Sequence, residues 1–539
     1  MRKFLSLLFF FCAAMSSATV FAASSSTPSV EQIDAQTKAL EQQITQLKAQ
    51  VAQLRAAQQT AATPAKTTKV QTKPSSKPST TAAKTKTKRA TTGFKPTQTV
   101  PALSADNFDS SPTDDDISET QFANALRGNL SIITSPYLGL RSSYDASDLI
   151  INLPSMNEDL VLLQQRQTMM DEAERLGLPF GRRPLIMLSG DLLPQIIFGN
   201  DYQGKGVSQA TLSGAEIDLQ AIAGSWAAGF LALNYDNSTP TATGLNDSSV
   251  NNSRVYVSRG FVTVGNLNAF PAYLTTGQMY APFGNYANSL VTSPLTQALG
   301  RALVRAVLLG YVQEGFYAET YFFNGDTYVK NDNVINAGGI NAGYKGTSGD
   351  WRYDFGAGVI SNMADSQGAQ NNALSSDVFQ GFGGPNGSEQ IHRHVPGGNI
   401  HTEIRYKNWN LNAEYVGALQ SYDNQDMTFN SGGANPQATH LELDYNTSML
   451  NRPWTFVLAY DHSWEALAYN LPQQSYFAVV SVSIWKDTIE SIEFRHDENY
   501  PGSSTANGSL GTNNGGNYAN ITPAGDSRNT VTLQLGLYF

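Results

Sequence analysis

The chain is 539 residues long, which suits either two or three ordinary domains or one large all-β barrel. Charged residues make up only 15% of it, against 45 Gly, 24 Tyr and 25 Phe, a poor match to a helical enzyme and a fair one to an aromatic-rich β protein. A formal net charge of −10 supplies no electrostatic footprint for nucleic acid.

The N-terminus, "MRKFLSLLFFFCAAMSSATVFAAS", has the plan of a secretory signal over 1–22. Arg2 and Lys3 form its positive end, an apolar run follows, and Val20-Phe21-Ala22 is an acceptable cleavage site. The run is too short to span a bilayer. The single cysteine, Cys12, lies inside it, so the processed chain has no thiol for disulfides, metal sites or nucleophilic catalysis. Nothing later is apolar enough for a transmembrane helix, so entry into a membrane has to be by strands.

Over 23–60 the spacing predicts a parallel coiled coil. Val30, Thr37, Ile44 and Val51 take a positions and Ile33, Leu40, Leu47 and Leu54 take d positions, with β-branched residues mostly at a and Leu mostly at d. A lone amphipathic helix is the competing reading, and the strand number stays open between two and three. The 61–106 stretch is Thr, Lys, Ser, Pro and Ala with no acid until its end; it cannot bury a core and reads as a linker. Its lysines offer a contact for anionic peptidoglycan or lipid headgroups, although a solvated spacer accounts for them equally well.

Residues 107–180 read as a periplasmic or partial-plug segment. Within it "NEDLVLLQQRQTMMDEAERLG" predicts a helix, with Asn157 as N-cap and Gly177 as stop. From 181 to 539 the texture becomes runs of about ten residues with period-2 alternation. They fall at 185–198, 210–223, 225–235, 253–265, 272–281, 301–312, 315–323, 333–345, 351–360, 399–407, 409–420, 437–446, 454–462, 474–485, 488–497 and 530–539. Short turns and long Gly/Asn/Ser loops alternate between them. A soluble sandwich has no reason to sort loops by parity, whereas an even-stranded outer-membrane barrel requires it, with short turns and both termini periplasmic. The expected fold is all-β: a sixteen-stranded antiparallel transmembrane barrel behind a coiled-coil helix and a linker.

Alternation assigns the faces. In "WRYDFGAGVI", Tyr353, Phe355, Ala357 and Val359 face lipid, and Arg352, Asp354, Gly356 and Gly358 face inward. In "NIHTEIRYK" the inward set is His401, Glu403, Arg405 and Lys407. No GxSxG, P-loop or HExxH motif is present, so no catalytic residue, cofactor or metal site is assigned. "HRH" at 392–394 is weak evidence for a metal. Candidate lumen residues for an anionic ligand are Arg254, Arg301, Arg305, Arg352 and Arg405, because guanidinium groups match carboxylates in a bidentate fork. Ion pairing to Glu216, Asp218, Glu319, Asp354 or Glu403 would reduce any of them to polar wall. Parity groups Arg259 with Val255, Val257 and Phe261, which argues against a lumen position.

"TSPYLGLRSSYDASDLIINLPSMNEDLVLLQQR" (134–166) and "SRGFVTVGNLNAFPAYLTTGQMYAPFGNY" (258–286) resemble segments of the LbtU-type siderophore porins, outer-membrane proteins associated with the siderophore legiobactin. The signal, coiled coil, linker and barrel follow the same layout. The resemblance implies import of a ferric siderophore, iron entering only as that ligand. Residues before 181 leave no room for a complete TonB-type plug, which also goes with larger barrels. A general or anion-selective diffusion porin and a coiled-coil-anchored structural protein remain open. Self-association through 23–60 is a further expectation. The chain ends on "NTVTLQLGLYF", where Leu535, Leu537 and Phe539 continue one apolar face. Strand alternation closing on a terminal aromatic is similar to the signal read by the barrel-assembly machinery.

Overall fold

The computed structural model describes 131–134 and 157–539, except 176, 178–179, 181–183, 203, 237–253, 331–333, 372–389, 486, 508–511, 514–516 and 519–525. The signal, coiled coil (with its Val30 to Leu54 seam) and linker lie outside the described residues. The alternating runs form strands β1 (Leu185–Asn200), β2 (Gly206–Ala223), β3 (Ala227–Asp236), β4 (Arg254–Gly265), β5 (Ala272–Tyr280), β6 (Leu303–Gln313), β7 (Phe316–Phe323) and β8 (Ala337–Ser348). The second half supplies β9 (Trp351–Ile360), β10 (Gly397–Tyr406), β11 (Trp409–Ala418), β12 (Gln437–Met449), β13 (Arg452–Trp464), β14 (Gln474–Val482), β15 (Thr488–Glu498) and β16 (Ser527–Tyr538). Helix α1 is Glu158–Arg175, α2 is Leu295–Gly300 and α3 is Gln367–Asn371.

The main sheet has seventeen strands. One is the segment Ser131–Thr134, which runs parallel to β1 from Leu185 to Leu188, below the point where β16 leaves off. The other sixteen are antiparallel, each paired to the next, and β16 returns to β1 with Leu533 opposite Ile196 and Val531 opposite Phe198. The barrel is closed. Every expected segment is a strand, with ends shifted by a few residues. β14, for example, stops at Val482 because Glu490 and Thr488 accept hydrogen bonds from the amides of Ile484 and Trp485 and hold the turn out of the ladder.

Burial follows the expected parity. On β9, Asp354 and Gly358 are buried while Trp351, Phe355 and Val359 are exposed. On β6, Val304, Ala306 and Leu308 are buried while Val307, Leu309 and Tyr311 are exposed. An outer surface built from such stripes is suited to hydrocarbon, where a closed sheet satisfies every wall amide and carbonyl. Aromatic side chains gather at both ends of the strands. Trp351 stacks on Tyr406 at 4.4 Å and Trp409 meets Tyr445 at 4.7 Å at the short-turn end. Tyr460 meets Tyr476 at 5.1 Å and His462 meets Trp464 at 4.3 Å at the other. Two such girdles mark the interfaces of a transmembrane barrel. Among the described residues no helix is long and apolar enough to cross a membrane.

The long connections are designated L1 to L8 in chain order. L3 spans 281–302, L4 324–336, L5 361–396, L6 419–436 and L8 499–526. L1 departs from the parity: it is only 201–205, closed by Asp201, whose carboxylate accepts from the Lys205 amide at 2.8 Å.

The seam is finished by the last residue. The Gly190 amide donates to the Phe539 carbonyl at 2.8 Å, and the Phe539 amide donates to the Gly190 carbonyl at 3.0 Å. A side chain at Gly190 would strike the Phe539 ring. Leu535 and Leu537 continue outward on the same face as Phe539. Deleting Phe539 removes both seam hydrogen bonds, each worth about 1 kcal/mol net. The expected outcome is less heat-modifiable barrel in the membrane fraction; unchanged barrel levels would count against the assembly role.

Candidate functional site

The lumen is occupied from two directions. The first occupant is α1. Glu158 and Asp159 sit in its first turn and Arg175 in its last, as the helix dipole favours, and the left-handed Gly177 follows. The Val161 amide donates to the Asn157 carbonyl, while the Asn157 side chain turns to the wall and donates to Glu319 of β7 at 2.6 Å. Glu158 is ion-paired with Arg259 of β4, which also binds Glu216 of β2 and lies 3.6 Å from Asp218. Farther along the helix, Arg166 donates to the Gly265 carbonyl at the β4–β5 turn. Leu160, Leu162, Leu163 and Met169 join one buried cluster with Leu185, Met187, Ile222, Phe230 and Phe261 of the inner wall. A wall this apolar cannot border water cheaply. Uncovering such side chains costs about 1.5–3 kcal/mol each, so α1 is a fixture of β1–β5.

The second occupant is L3, whose backbone is received by carboxylates on the opposite wall. Glu414 of β11 accepts from the amides of Asn285 and Tyr286 at 2.6 and 3.2 Å, and from the Thr296 hydroxyl at 2.9 Å. Glu442 of β12 accepts from the Ser289 amide at 2.9 Å, and Asp444 from its hydroxyl at 3.1 Å. Glu493 of β15 accepts from the amides of Val291 and Thr292, and Asp461 of β13 from the amide of Leu295 that opens α2. Acceptor-only carboxylates facing donor-only amides make charge-assisted bonds that fix the loop across the barrel. Nearer the long-loop rim, Asp497 is bound by Arg495 at 2.7 Å, by Arg528 and by the Ser475 hydroxyl.

The surface loops are tied to one another. Asp365 of L5 accepts from the Thr327 amide and hydroxyl and from Asn362, and burial lifts its carboxyl to about 6 despite those donors. His392 of L5 meets Asp426 of L6 at 2.7 Å through Nδ1, and the Asp426 hydrogen bond, reinforced by its charge, raises the imidazole above its ordinary value. Among the described residues no group of three His, Cys, Asp or Glu side chains is arranged to hold a metal.

The sequence-derived arginines are not brought together. The Arg254 side chain lies outside the described residues; its backbone opens β4 opposite Asp236. Arg301 is not on a strand: it follows α2, donates to Gln367 at 2.9 Å and stacks over Tyr280 at 4.7 Å. Arg305 is a correction. It alternates with buried Val304 and Ala306, shares the exposed face of Val307 and Leu309, and so points outward rather than into the lumen. Arg352 is exposed near the short-turn end of β9, and Arg405 is buried against Glu403 at 2.5 Å, the polar-wall outcome. Arg259 is a correction in the other direction. A β-bulge at Ser258 shifts the register between Val257 and Arg259, so Val257 points out while Arg259 and Phe261 point in. The carboxylates that hold L3 were missed. Their inward parity was readable, but nothing in the loop's sequence announces that it folds into the pore.

A closed sixteen-stranded barrel with an apolar outer face, two aromatic girdles and an occupied lumen defines a porin-like outer-membrane protein. The chain belongs to the UPF0422 family. It is 37% identical over 417 residues to UPF0422 proteins of Legionella pneumophila strains Lens and Paris, covering 76% of this chain and 76% of each of theirs. It is 36% identical over 415 residues to the UPF0422 protein of Coxiella burnetii, covering 75% of this chain and 83% of that one. No protein-family model matches. Among solved structures, an anion-selective porin from Comamonas acidovorans is similar at 13% identity and TM-score 0.43, over 66% of this chain and 100% of that one. The outer-membrane channel DcaP of Acinetobacter baumannii is similar at 13% identity and TM-score 0.42, over 66% and 97%. Both likenesses are loose; the closed sheet itself makes the barrel.

Replacing Arg259 by Ala strands the Glu158, Glu216 and Asp218 carboxylates. The expected loss is about 3–5 kcal/mol, with faster hydrogen exchange along α1, and retained α1 protection would contradict the anchoring role. The His392–Asp426 contact has the opposite sign to a carboxylate effect. A raised imidazole stabilises below the ordinary value of 6.5, and the contribution disappears as pH rises through the raised value. Protection of the His392 amide, taken relative to the intrinsic base-catalysed exchange rate at each pH, should therefore fall at high pH in wild type and lose this dependence in Asp426→Asn.

Proposed function

We propose that the chain is an outer-membrane channel importing a ferric siderophore through a lumen kept narrow by α1 and L3, without a TonB-type plug. The observation that carries the channel part is the double occupancy: α1 anchored at Arg259 and L3 held by Glu414, Glu442, Asp461 and Glu493. A general diffusion pore has no use for a helix fixed inside it. The siderophore part rests on the resemblance of 134–166 and 258–286 to LbtU-type porins. Anchorage or self-association through 23–60, peptidoglycan contact by 61–106 and delivery by the barrel-assembly machinery belong to the same reading, with both termini periplasmic. Catalysis has no place in it.

The second reading is diffusion of small solutes, and the wall bears on its sign. Glu414, Glu442, Asp444, Asp461 and Glu493 face inward while Arg305 faces out and Arg405 is paired, which favours cations over anions.

Two measurements separate the readings. In planar bilayers the wild-type channel should conduct weakly, and excision of 285–296 should raise conductance several-fold; a large, steady wild-type conductance would support diffusion instead. Uptake of labelled ferric siderophore should fall in a deletion strain lacking redundant receptors. Undiminished uptake there would remove the siderophore assignment while leaving the channel.

A further inference from the structure

Arg305 places a permanent positive charge on the outer face of the barrel, at the top of a stripe continued by Val307, Leu309 and Tyr311, which are 41%, 52% and 38% exposed. A lipid-facing arginine is costly at mid-bilayer and tolerated near an interface. Position decides which applies here: Arg305 is the third residue of β6 from the L3 side, so it lies at the long-loop interface.

Its surroundings are built to orient it. The bulge at Ser258 ends the regular β4–β5 ladder at Gly260 opposite Gln278. The carbonyls of Val257 and Ser258, left beyond that ladder, both accept from the Gln278 side-chain nitrogen, at 3.2 and 2.8 Å. Gly277 makes the close approach possible: its φ of 142° suits glycine, and a Cβ there would run into the Gly260 carbonyl and the Phe261 backbone. With its nitrogen fixed, Gln278 presents its side-chain oxygen to Arg305, which donates from Nε at 3.2 Å. The Nε–H of the guanidinium is held by Gln278, which leaves the two Nη groups for a further acceptor. Two parallel N–H donors on a planar cation match two oxygens of a phosphate, and a strongly hydrated ammonium would match them less well.

We propose that Arg305, oriented by Gln278, binds the phosphate of an anionic lipid headgroup at the long-loop interface. The occupant is a lipid because the side chain shares its face with the apolar stripe, and the oxyanion that a lipid headgroup brings to the fork at this interface is its phosphate. The site is independent of what passes through the lumen.

The test uses the full chain purified in detergent, with retained lipid read by native mass spectrometry. The probes are bis-phosphorylated lipid A, dephosphorylated lipid A and inorganic phosphate. Wild type should retain the phosphorylated lipid, and Arg305→Gln should retain about ten-fold less, the loss of one charge-assisted bidentate contact. Arg305→Lys should lie between them. Gln278→Leu keeps the charge but removes its orientation and should also weaken retention, which protects the test against misfolding of one variant. Lys407→Gln, at the other end of the barrel, should match wild type. Equal retention by wild type and Arg305→Gln would overturn the proposal, as would equal retention of dephosphorylated lipid A. So would binding of inorganic phosphate as tight as that of the lipid, or a drop in oligomer mass in Arg305→Gln with lipid retention unchanged.

Discussion

Everything in this molecule depends on closing a sheet whose backbone cannot find a partner in hydrocarbon. An open edge would leave a row of bare amides and carbonyls in the bilayer, each costing several kcal/mol, so the last strand has to find the first. β16 does so along β1, and the Phe539–Gly190 pair carries the ladder to the terminal residue. Closure fixes the side-chain arithmetic. With no edge and a period of two, each strand gives one row to lipid and one to the lumen, and a misplaced register would turn both over.

Sixteen strands leave an interior that wall side chains alone do not fill. The two fillings are chemically different. On the β1–β5 side the inner wall is apolar low in the barrel, and α1 covers it with Leu and Met. On the β11–β15 side it is acidic, and L3 covers it with its own amides. Bare carboxylates at that density would repel one another. Because each accepts hydrogen bonds from a loop crossing the pore, repulsion becomes attachment. Arg259 links the two regimes, since its guanidinium binds an α1 carboxylate and a wall carboxylate at once.

Strands and faces were legible in the sequence because both follow from local periodicity. All sixteen segments, the loop parity apart from the short L1, and α1 between Asn157 and Gly177 emerge from alternation and turn residues. Failures cluster where a nonlocal event intervenes. Arg259 and Arg305 lie on the faces opposite to those the sequence predicts. For Arg259 the cause is one extra residue at Ser258, which reverses parity and which "VYVSRGFVTVG" does not reveal. For Arg305 the cause is the strand boundary: Arg301 belongs to the end of L3, so the even spacing between them does not describe one strand. The anchors of L3 escaped because a loop's path through a pore is decided by carboxylates more than a hundred residues later in the chain.

These two reversals also redraw the charge map. Lumen arginines at the sequence-predicted places would have made a cationic surface for an anionic ligand. Instead, Arg259 is consumed in anchoring α1, Arg405 is paired with Glu403, Arg301 lies on Tyr280, and Arg305 leaves the lumen altogether. On the β11–β15 wall, Glu414, Glu442, Asp444, Asp461 and Glu493 each already accept a hydrogen bond from L3. A selectivity element in this barrel is therefore not a ring of free side chains of one sign. In the proposed channel it would be the space between α1 and L3, with an electrostatic character that depends on how much of the L3 backbone stays on the carboxylates. In that channel, any change that lifts L3 from Glu414 or Glu493 would both widen the path and uncover negative charge, so width and cation preference would rise together.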